Sequence, residues 1–232
     1  MKILVIDTSG PVCGVAVMED GKVLCEYTAQ NKNTHSTNLL PMTEAALCSA
    51  GKTIREMDAV AAVTGPGSFT GVRIGVATAK GLAHGTGIPC IPVDALDALS
   101  ASAGGFDGVI CPIQDARAGQ VYGAAFRDGK RLTGNAPMKL EEYLEKITPL
   151  GERFLFLGDG VPVHREKITE ILGEQAEFAP PHLTYLRPSA AGWIAMRSGK
   201  KTDYLNLQAT YLRPPNARKN KKLLEAMGMK PE

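Results

Sequence analysis

The sequence predicts an α/β protein built from two related halves. A continuous apolar run at residues 3–6 is typical of a strand buried on both faces of a sheet. Further apolar strand segments alternate with segments whose apolar residues have helical spacing. Each half also contains a hairpin signal, at residues 19–22 in the first and 128–130 in the second. We therefore expect an internal structural duplication.

The first half is predicted to open with three antiparallel strands, because the turn at residues 19–22 separates two β-rich runs. Apolar residues at helical spacing indicate a helix over residues 36–50, which Gly51 ends and whose first turn accommodates Pro41. The elements expected next are a strand at 59–63, a helix at 70–84, a strand at 88–93 and a helix that Asp94 caps.

The second half is predicted to repeat this progression after a small, flexible boundary at residues 103–105. Its expected elements are strands at 109–113, 121–126 and 154–157, a helix at 140–147 and a helix from about Pro162. The predicted units are therefore residues 1–103, residues 104–212 and a basic tail at 213–232.

The composition is that of a soluble globular protein. A formal net charge of +2 is far below the basic excess of a dedicated nucleic-acid binder. The five dispersed cysteines, without a CxxC pair, argue against a disulfide framework and a structural zinc. The sequence shows neither a signal peptide nor an apolar stretch long enough to span a membrane. We expect a cytoplasmic protein without a membrane partner.

Two acidic turns at predicted strand ends are candidates for nucleotide contact. Asp7 and Ser9 follow the first strand, and Asp159 follows the strand at 154–157. Open sheets bind ligands at the carboxyl ends of their strands. The alternative is that each aspartate only bonds the backbone of its own turn. In sugar kinases, glycines follow the aspartate at this position. Here Pro11 follows Asp7 and leaves less room for a phosphate.

The segment TGPGSFTGVRIG at residues 64–75 combines a strand end, a glycine-rich turn and a helix start. Its free N–H groups can bind an anion, but the GK[ST] ending of a P-loop is absent. The helix that follows carries four small residues spaced by four: Gly71, Gly75, Ala79 and Ala83. Glycine inside a helix costs about 1 kcal/mol relative to alanine. A closely packed helix would compensate, either the one at 36–50 or one from another chain.

Five segments spread along the chain form one recognisable set. They are Ile6-Asp7-Thr8-Ser9, His35-Ser36 with Leu39-Leu40-Pro41, the block 65–75, Asp115-Ala116-Arg117 with Val121-Tyr122, and Tyr211-Leu212-Arg213. Together they resemble the TsaB family, also called YeaZ. The block at 65–75 is highly specific, and the resemblance spans nearly the whole chain. It implies an ASKHA (actin-like ATPase / ribonuclease H-like) fold of two related subdomains with mixed sheets.

The resemblance also implies a function. It points to a non-catalytic scaffold that acts with the TsaD catalytic subunit and the TsaE ATPase. Together they form N6-threonylcarbamoyladenosine at position 37 of ANN-decoding tRNAs. This subunit would need no cofactor of its own, whereas ATP or ADP with magnesium could bind at the level of the complex. It would reach tRNA through that complex and form a homodimer when alone.

In that family the helices that match 36–50 and 70–84 form the interface with TsaD or with a second TsaB. The interface residues expected here are Leu39, Leu40, Thr43, Ala46, Leu47, Val72, Gly75, Val76, Ala79, Leu82 and Ala83. On this basis Gly75→Leu should abolish the complex and leave the monomer folded.

The histidines argue against a metal site and a catalytic residue. TsaD carries a His-x-x-x-His metal motif in the region that matches helix 36–50, whereas here His35 is followed four residues later by Leu39. The other three histidines are far apart in sequence, and a catalytic metal needs about three protein ligands. This observation disfavours a metallo-glycoprotease.

The tail concentrates positive charge in Arg213, Arg218, Lys219, Lys221 and Lys222. Such a run can contact tRNA phosphates, or it can simply be a solvated terminus. Two further alternatives therefore stay open beside the scaffold. One is a small ASKHA-type nucleotide-binding kinase or phosphotransferase that uses Asp7 and Asp159, and the other is a free-standing RNA-binding protein. Asp115 and Arg117 are given no role beyond a surface ion pair.

Overall fold

The computed structural model describes residues 1–31 and 34–212. Its first sheet has the order β3-β2-β1-β4-β5. The strands are β1 (Lys2–Asp7), β2 (Cys13–Glu19), β3 (Lys22–Ala29), β4 (Ala59–Gly65) and β5 (Cys90–Asp94). The helices of this half are α1 (His35–Ser49), α2 (Phe69–Thr86) and α3 (Ala95–Ser102), with a 3-10 turn at Ile54–Glu56.

The second sheet has the order β10-β7-β6-β11-β12, and a small hairpin, β8 with β9, pairs with β6. The strands are β6 (Val109–Asp115), β7 (Gln120–Gly123), β8 (Phe126–Arg127), β9 (Lys130–Arg131), β10 (Ala136–Lys139), β11 (Phe154–Leu157) and β12 (Ala176–Phe178). The helices are α4 (Leu140–Ile147), α5 (Val161–Leu172), α6 (Pro181–Thr184) and α7 (Pro188–Ser198), with 3-10 turns at Thr148–Leu150 and Gly173–Gln175.

The two sheets share one topology. In each, a central strand pairs antiparallel with a second strand, which pairs antiparallel with a third, and two further strands extend the other side in parallel. A helix precedes each of the two parallel strands, as α1 and α2 do in the first half and α4 and α5 in the second. The predicted α/β fold of two related halves with mixed sheets is confirmed.

Local sequence signals place the ends of several elements as predicted. Asp20 and Gly21 both have positive φ, which suits the tight turn between β2 and β3. Ser68 caps α2 by accepting the N–H of Gly71, and α2 ends at Gly87 in the left-handed conformation. Asp94 caps α3 by accepting the N–H groups of residues 96 and 97.

The predicted strand at 121–126 is divided into β7 and β8. A Cβ on Gly123 would lie 2.6 Å from the ring of Tyr143, whose hydroxyl donates to the carbonyl of Ala124 at 2.7 Å. The buried ring thus occupies the bend between the two strands. The hairpin predicted at 128–130 joins β8 to β9, and the counterpart of β3 is β10, which the sequence analysis did not predict.

The first sheet is covered on both faces, as strand alternation requires. One face packs beneath α1 and α2, and its core includes Leu4, Ile6, Val15 and Val17. The opposite face packs beneath α3 and α7, and its core includes Ile3, Val5, Ala16 and Met18. The core beneath α3 and α7 also contains Ile110, Phe126 and Leu157 of the second half, so it joins the two halves. Within residues 1–31 and 34–212, none of the helices has the length and apolar character needed to cross a membrane.

The chain returns to the first sheet after completing the second. A Cβ on Gly192 of α7 would lie 2.2 Å from the sulfur of Met18, so this helix packs tightly on β2. Residues 199–212, here called the C-terminal strap, then run beside α2. Thr202 forms a β-bridge with Cys90, and the N–H of Thr210 donates to the carbonyl of Thr64. The division into 1–103 and 104–212 stays a prediction, and this return of the chain was not predicted from the sequence.

Candidate functional site

The row of small residues on α2 faces the interior of its own chain. A Cβ at Gly71 would lie 2.1 Å from the carbonyl oxygen of Thr8, and a Cβ at Gly75 would lie 2.5 Å from the Thr8 hydroxyl. Ala79 and Ala83 are fully buried in the core beneath α2. The glycines therefore let α2 approach the loop after β1, and the interpretation of this row as a surface for a helix of another chain is corrected.

Eight of the eleven residues expected at the partner interface are buried in the chain itself. They are Leu39, Thr43, Ala46, Val72, Gly75, Val76, Ala79 and Ala83. A partner could contact their side chains only by opening the core. Leu40 is 56% exposed, and Leu47 and Leu82 are partly buried. These three remain available on the surface formed by α1 and α2.

A second row of small residues lies on the outer side of α2. Ala77, Gly81 and Gly85 are exposed and spaced by four. Among the residues that the structure describes, a Cβ at Gly81 or Gly85 would meet nothing within 4 Å. We call these three residues the outer α2 face. The same spacing rule that selected the buried row would have found this one, but spacing alone does not say which row faces outward.

A cleft of about 460 Å³ separates the two halves where the carboxyl ends of β1, β4, β6 and β11 meet. Its walls combine the loops after these strands with the end of the C-terminal strap. Gly10, Ser68, Asp115, Asp159 and Tyr211 are among the residues that line it. The structure thus brings the loops of the predicted Asp7 and Asp159 turns to one cleft.

Asp7 lies beneath this cleft and is almost completely buried. One oxygen of its carboxyl group accepts the N–H and the hydroxyl of Ser9, at 2.8 and 2.7 Å. Burial raises the pKa of Asp7 from 3.8 to about 6, although the Ser9 bonds and the nearby His35 act in the opposite direction. Asp7 therefore makes the turn contact that was the alternative to ligand binding.

Asp159 occupies the matching position in the second half. Its carboxyl group accepts the N–H of Asp115 at 3.1 Å, and burial raises its pKa to about 6. The carboxylates of Asp115 and Asp7 also raise this pKa. A Cβ on Gly10 would lie 3.8 Å from the other Asp159 oxygen, so the loop after β1 sits close to this carboxyl group.

Several N–H groups of the turn at 65–71 and of the turn at 158–160 already donate to the protein itself, which disfavours a nucleotide phosphate. The N–H of Ser68 donates to the carbonyl of Ser9 at 2.7 Å, and a Cβ on Gly67 would overlap that carbonyl. In the second half, the N–H groups of Gly158 and Gly160 donate to backbone carbonyls at 2.6 and 3.1 Å. The suggested nucleotide contact by Asp7, Ser9 and Asp159 stays a prediction that these bonds disfavour.

His35 and His164 lie near the cleft without forming a ligand set. His35 Nε2 is 3.0 Å from the carbonyl oxygen of Gly10, and His164 Nε2 is 3.9 Å from an oxygen of Asp115. Asp115 also forms the expected ion pair with Arg117, at 3.3 Å. Across the described ranges, no group of three His, Cys, Asp or Glu side chains is placed to hold a metal ion. The sequence analysis did not foresee the buried His164–Asp115 approach.

The predicted tRNA-contacting residues, Arg213, Arg218, Lys219, Lys221 and Lys222, lie outside the described residues. The last described part of the chain is anchored on α2. The guanidinium of Arg73 lies 3.8 Å from the centroid of the Phe69 ring, and its Nε donates to the hydroxyl of Tyr211 at 2.8 Å. The strap therefore ends at the mouth of the cleft.

Comparisons with known proteins match a TsaD family model and curated TsaB proteins. The model of the family described as TsaD, tRNA N6-adenosine threonylcarbamoyltransferase, matches residues 22–221. The chain is 33% identical to the tRNA threonylcarbamoyladenosine biosynthesis protein TsaB of Bacillus subtilis over 92% of this chain and 94% of that protein. It is 36% identical to TsaB of Escherichia coli over 69% of this chain and 72% of that protein.

A solved structure supports the same assignment. It is the crystal structure of an uncharacterized protein with similarity to peptidase YEAZ from Pseudomonas aeruginosa. This structure matches with a TM-score of 0.75 and 25% identity, over 91% of this chain and 99% of that one. The resemblance carried by the glycine-rich block is thereby confirmed, and the chain belongs to the TsaB family of tRNA threonylcarbamoyladenosine biosynthesis proteins.

Proposed function

We propose that this chain is a non-catalytic scaffold subunit that binds TsaD. With TsaE, this pair would form N6-threonylcarbamoyladenosine at position 37 of ANN-decoding tRNAs. The observation that best supports the proposal is the outer α2 face. Gly81 lies inside a helix, is exposed, and would meet nothing within 4 Å if it carried a Cβ. Such a glycine costs about 1 kcal/mol relative to alanine, and no contact within the described chain offsets that cost.

A partner helix would supply the missing contact. With no side chain at Gly81 or Gly85, a second backbone can approach α2 closely and gain dispersion energy. Leu40 exposes an apolar side chain on α1, which packs on the same face of the first sheet as α2. TsaD is the partner we propose for this surface, and a second copy of the chain would occupy it when TsaD is absent.

The hydrogen bonds of the cleft support a scaffold over a kinase. The N–H groups of Ser68, Gly158 and Gly160, in the two turns that would cradle a phosphate, donate to the protein itself. The Asp7 carboxyl group is buried, and its pKa is raised to about 6. We propose that this subunit requires no cofactor, and that any ATP or ADP with magnesium binds at the level of the complex.

The interface assignment is tested with Gly81→Arg. Arginine forms helix better than glycine, so the monomer should be as stable as the unmodified protein or more stable, by up to about 1 kcal/mol. The long side chain should prevent close approach, and co-elution with TsaD should be lost. Glu166→Arg, which places the same side chain on an exposed position of α5, is the matched control and should leave co-elution intact.

The role itself is tested by threonylcarbamoyl transfer to an ANN-decoding tRNA with purified TsaD, TsaE and this chain, each omitted in turn. Omission of this chain should abolish transfer, and Gly81→Arg should reproduce that loss. Full transfer without this chain would contradict the scaffold role. Calorimetry with ATP and magnesium on the isolated chain addresses the kinase alternative, since tight binding with turnover would favour that reading.

A further inference from the structure

A groove of about 490 Å³ lies on the face of the first sheet opposite α1 and α2. The β2–β3 hairpin, the end of α3 and the beginning of α7 form its walls. We call it the α7 groove. It is lined by Met18, Val23, Glu26, Leu183, Arg187 and Trp193, among others. None of these residues takes part in the cleft or in the outer α2 face.

The α7 groove exposes large apolar side chains. Trp193 is the only tryptophan of the chain, and it is 46% exposed. Val23, on the opposite wall, is 48% exposed. Tryptophan and arginine are enriched among the few residues that contribute most of the binding energy at protein interfaces. The guanidinium of Arg197 lies 5.4 Å from the centroid of the Trp193 ring and completes such a pair.

The charged side chains of the groove leave a positive charge at its rim. Among the described residues that line the groove, Glu26 is the only acidic one. Its two oxygens accept the N–H and hydroxyl of Ser189, at 2.9 and 2.8 Å, and a guanidinium N–H of Arg187, at 2.8 Å. Glu26 and Arg187 therefore form a pair without net charge, although the Arg187 side chain is still 42% exposed. Arg197 stands at the rim beside Trp193 and adds a positive charge that attracts carboxylates.

The groove also runs beside an open sheet edge. β3 is the outermost strand of the first sheet, and in residues 1–31 and 34–212 no strand pairs with its outer side. An extended segment can add to such an edge through main-chain hydrogen bonds while its alternate side chains enter an adjacent pocket. The geometry thus suits a peptide segment better than a compact ligand.

We propose that the α7 groove docks an acidic segment of another protein that carries a large apolar side chain. The apolar side chain would pack between Trp193 and Val23, and neighbouring carboxylates would pair with Arg187 and Arg197. The tail at 213–232 is the wrong occupant on charge, because five basic residues precede its first acidic residue, Glu225. The groove and the outer α2 face lie on opposite sides of the sheet, so the scaffold can hold two partners at once.

The test uses a labelled twelve-residue probe peptide in which aspartates flank a central Leu-Phe pair, with a second peptide that has lysine in place of every aspartate. Fluorescence anisotropy gives the dissociation constants, and the emission of Trp193 reports contact directly because the chain has no other tryptophan. The aspartate peptide should bind at least about tenfold more tightly than the lysine peptide, and added salt should reduce the difference.

Two variants locate the binding site. Trp193→Ala and Arg197→Glu should each weaken the aspartate peptide by about tenfold or more. Val163→Ala, which truncates an exposed apolar residue on α5, should leave binding unchanged. The Trp193→Ala protein should still co-elute with TsaD, and the Gly81→Arg protein should still bind the peptide. The two proposed binding surfaces are thereby tested independently of each other.

Three results would overturn the proposal. The first is equal binding of the aspartate and lysine peptides, or no binding up to about 1 mM. The second is unchanged peptide binding by the folded Arg197→Glu and Trp193→Ala proteins. The third is a change from dimer to monomer on Trp193→Ala in sedimentation, which would make the groove a contact between two copies of this chain.

Discussion

Gly75 of α2 lies directly against Thr8, so that a Cβ on the glycine would come within 2.5 Å of the threonine hydroxyl. That hydroxyl donates to the carbonyl of Gly71 at 2.7 Å and has no exposure to solvent. The helix and the loop after β1 are therefore fitted to each other at this point. Position 75 is part of the core, and a substitution there affects the monomer before it affects any complex.

We expect Gly75→Leu to lower the free energy of unfolding of the isolated chain by about 3 kcal/mol, because it overpacks the core and breaks the Thr8 bond. Urea denaturation followed by circular dichroism measures this change. Gly81→Leu puts the same side chain on the open side of α2, and it should leave the stability unchanged or raise it by up to about 1 kcal/mol. Equal effects of the two substitutions would refute the packing described for α2.

Most strands and helices up to α5 could be predicted because each of them is marked by a local signal. The run at residues 3–6 indicated a buried strand, and Ser68 and Asp94 marked helix starts through cap chemistry that depends on their neighbours alone. β10 was missed because it is short, lies at a sheet edge and contains Pro137, which strand propensities disfavour.

Which face of α2 is buried could not be predicted from the sequence. Gly71 and Gly81 belong to two rows with the same spacing, and only the position of Thr8 in the folded chain distinguishes the rows. The return of α7 to the first sheet was missed for a similar reason. The fit of Gly192 over Met18 joins residues that are far apart in sequence, and neither residue has a local signal for this contact.

The C-terminal strap should contribute to stability through one buried anchor. Leu207 is 1% exposed in the core beneath α2, whereas Leu205, two residues away, is 68% exposed. Leu207→Ala should lower the free energy of unfolding by about 2–4 kcal/mol, and Leu205→Ala by less than about 0.5 kcal/mol. Thermal or urea unfolding of the two variants gives the comparison. If both substitutions lowered the free energy of unfolding by the same small amount, the C-terminal strap would not be packed against α2.

The β8–β9 hairpin of the second half is fastened to α3 of the first half. Arg131 donates to Asp94 and Asp97, at 2.7 Å each, and all three side chains are partly buried. Arg131→Ala should lower the free energy of unfolding by about 1–2 kcal/mol, because its three charge-assisted bonds to these aspartates are lost. The neighbouring, exposed Lys130→Ala is the control and should change stability by less than about 0.5 kcal/mol. If the two variants unfold at the same urea concentration, Arg131 does not join the halves.

Burial of Asp7 should make the stability of the protein fall as the pH rises through the acidic range. Its pKa is about 6 in the folded protein, whereas the ordinary value of 3.8 applies to the unfolded chain. Between these two pH values the folded state holds a proton that the unfolded state has released. The resulting cost grows from about pH 4, is complete above about pH 6, and amounts to about 3 kcal/mol for this group. Asp159 acts in the same direction.

Asp7→Asn tests this prediction, since asparagine can still accept the Ser9 bonds but cannot ionise. Relative to the unmodified protein, the variant should gain about 3 kcal/mol in free energy of unfolding between pH 4 and pH 7. Urea denaturation at a series of pH values provides the comparison, and the measurement at pH 4 serves as the internal reference for any effect of the amide itself. A difference between the two proteins that is the same at every pH would show that Asp7 is ionised in the folded state throughout this range.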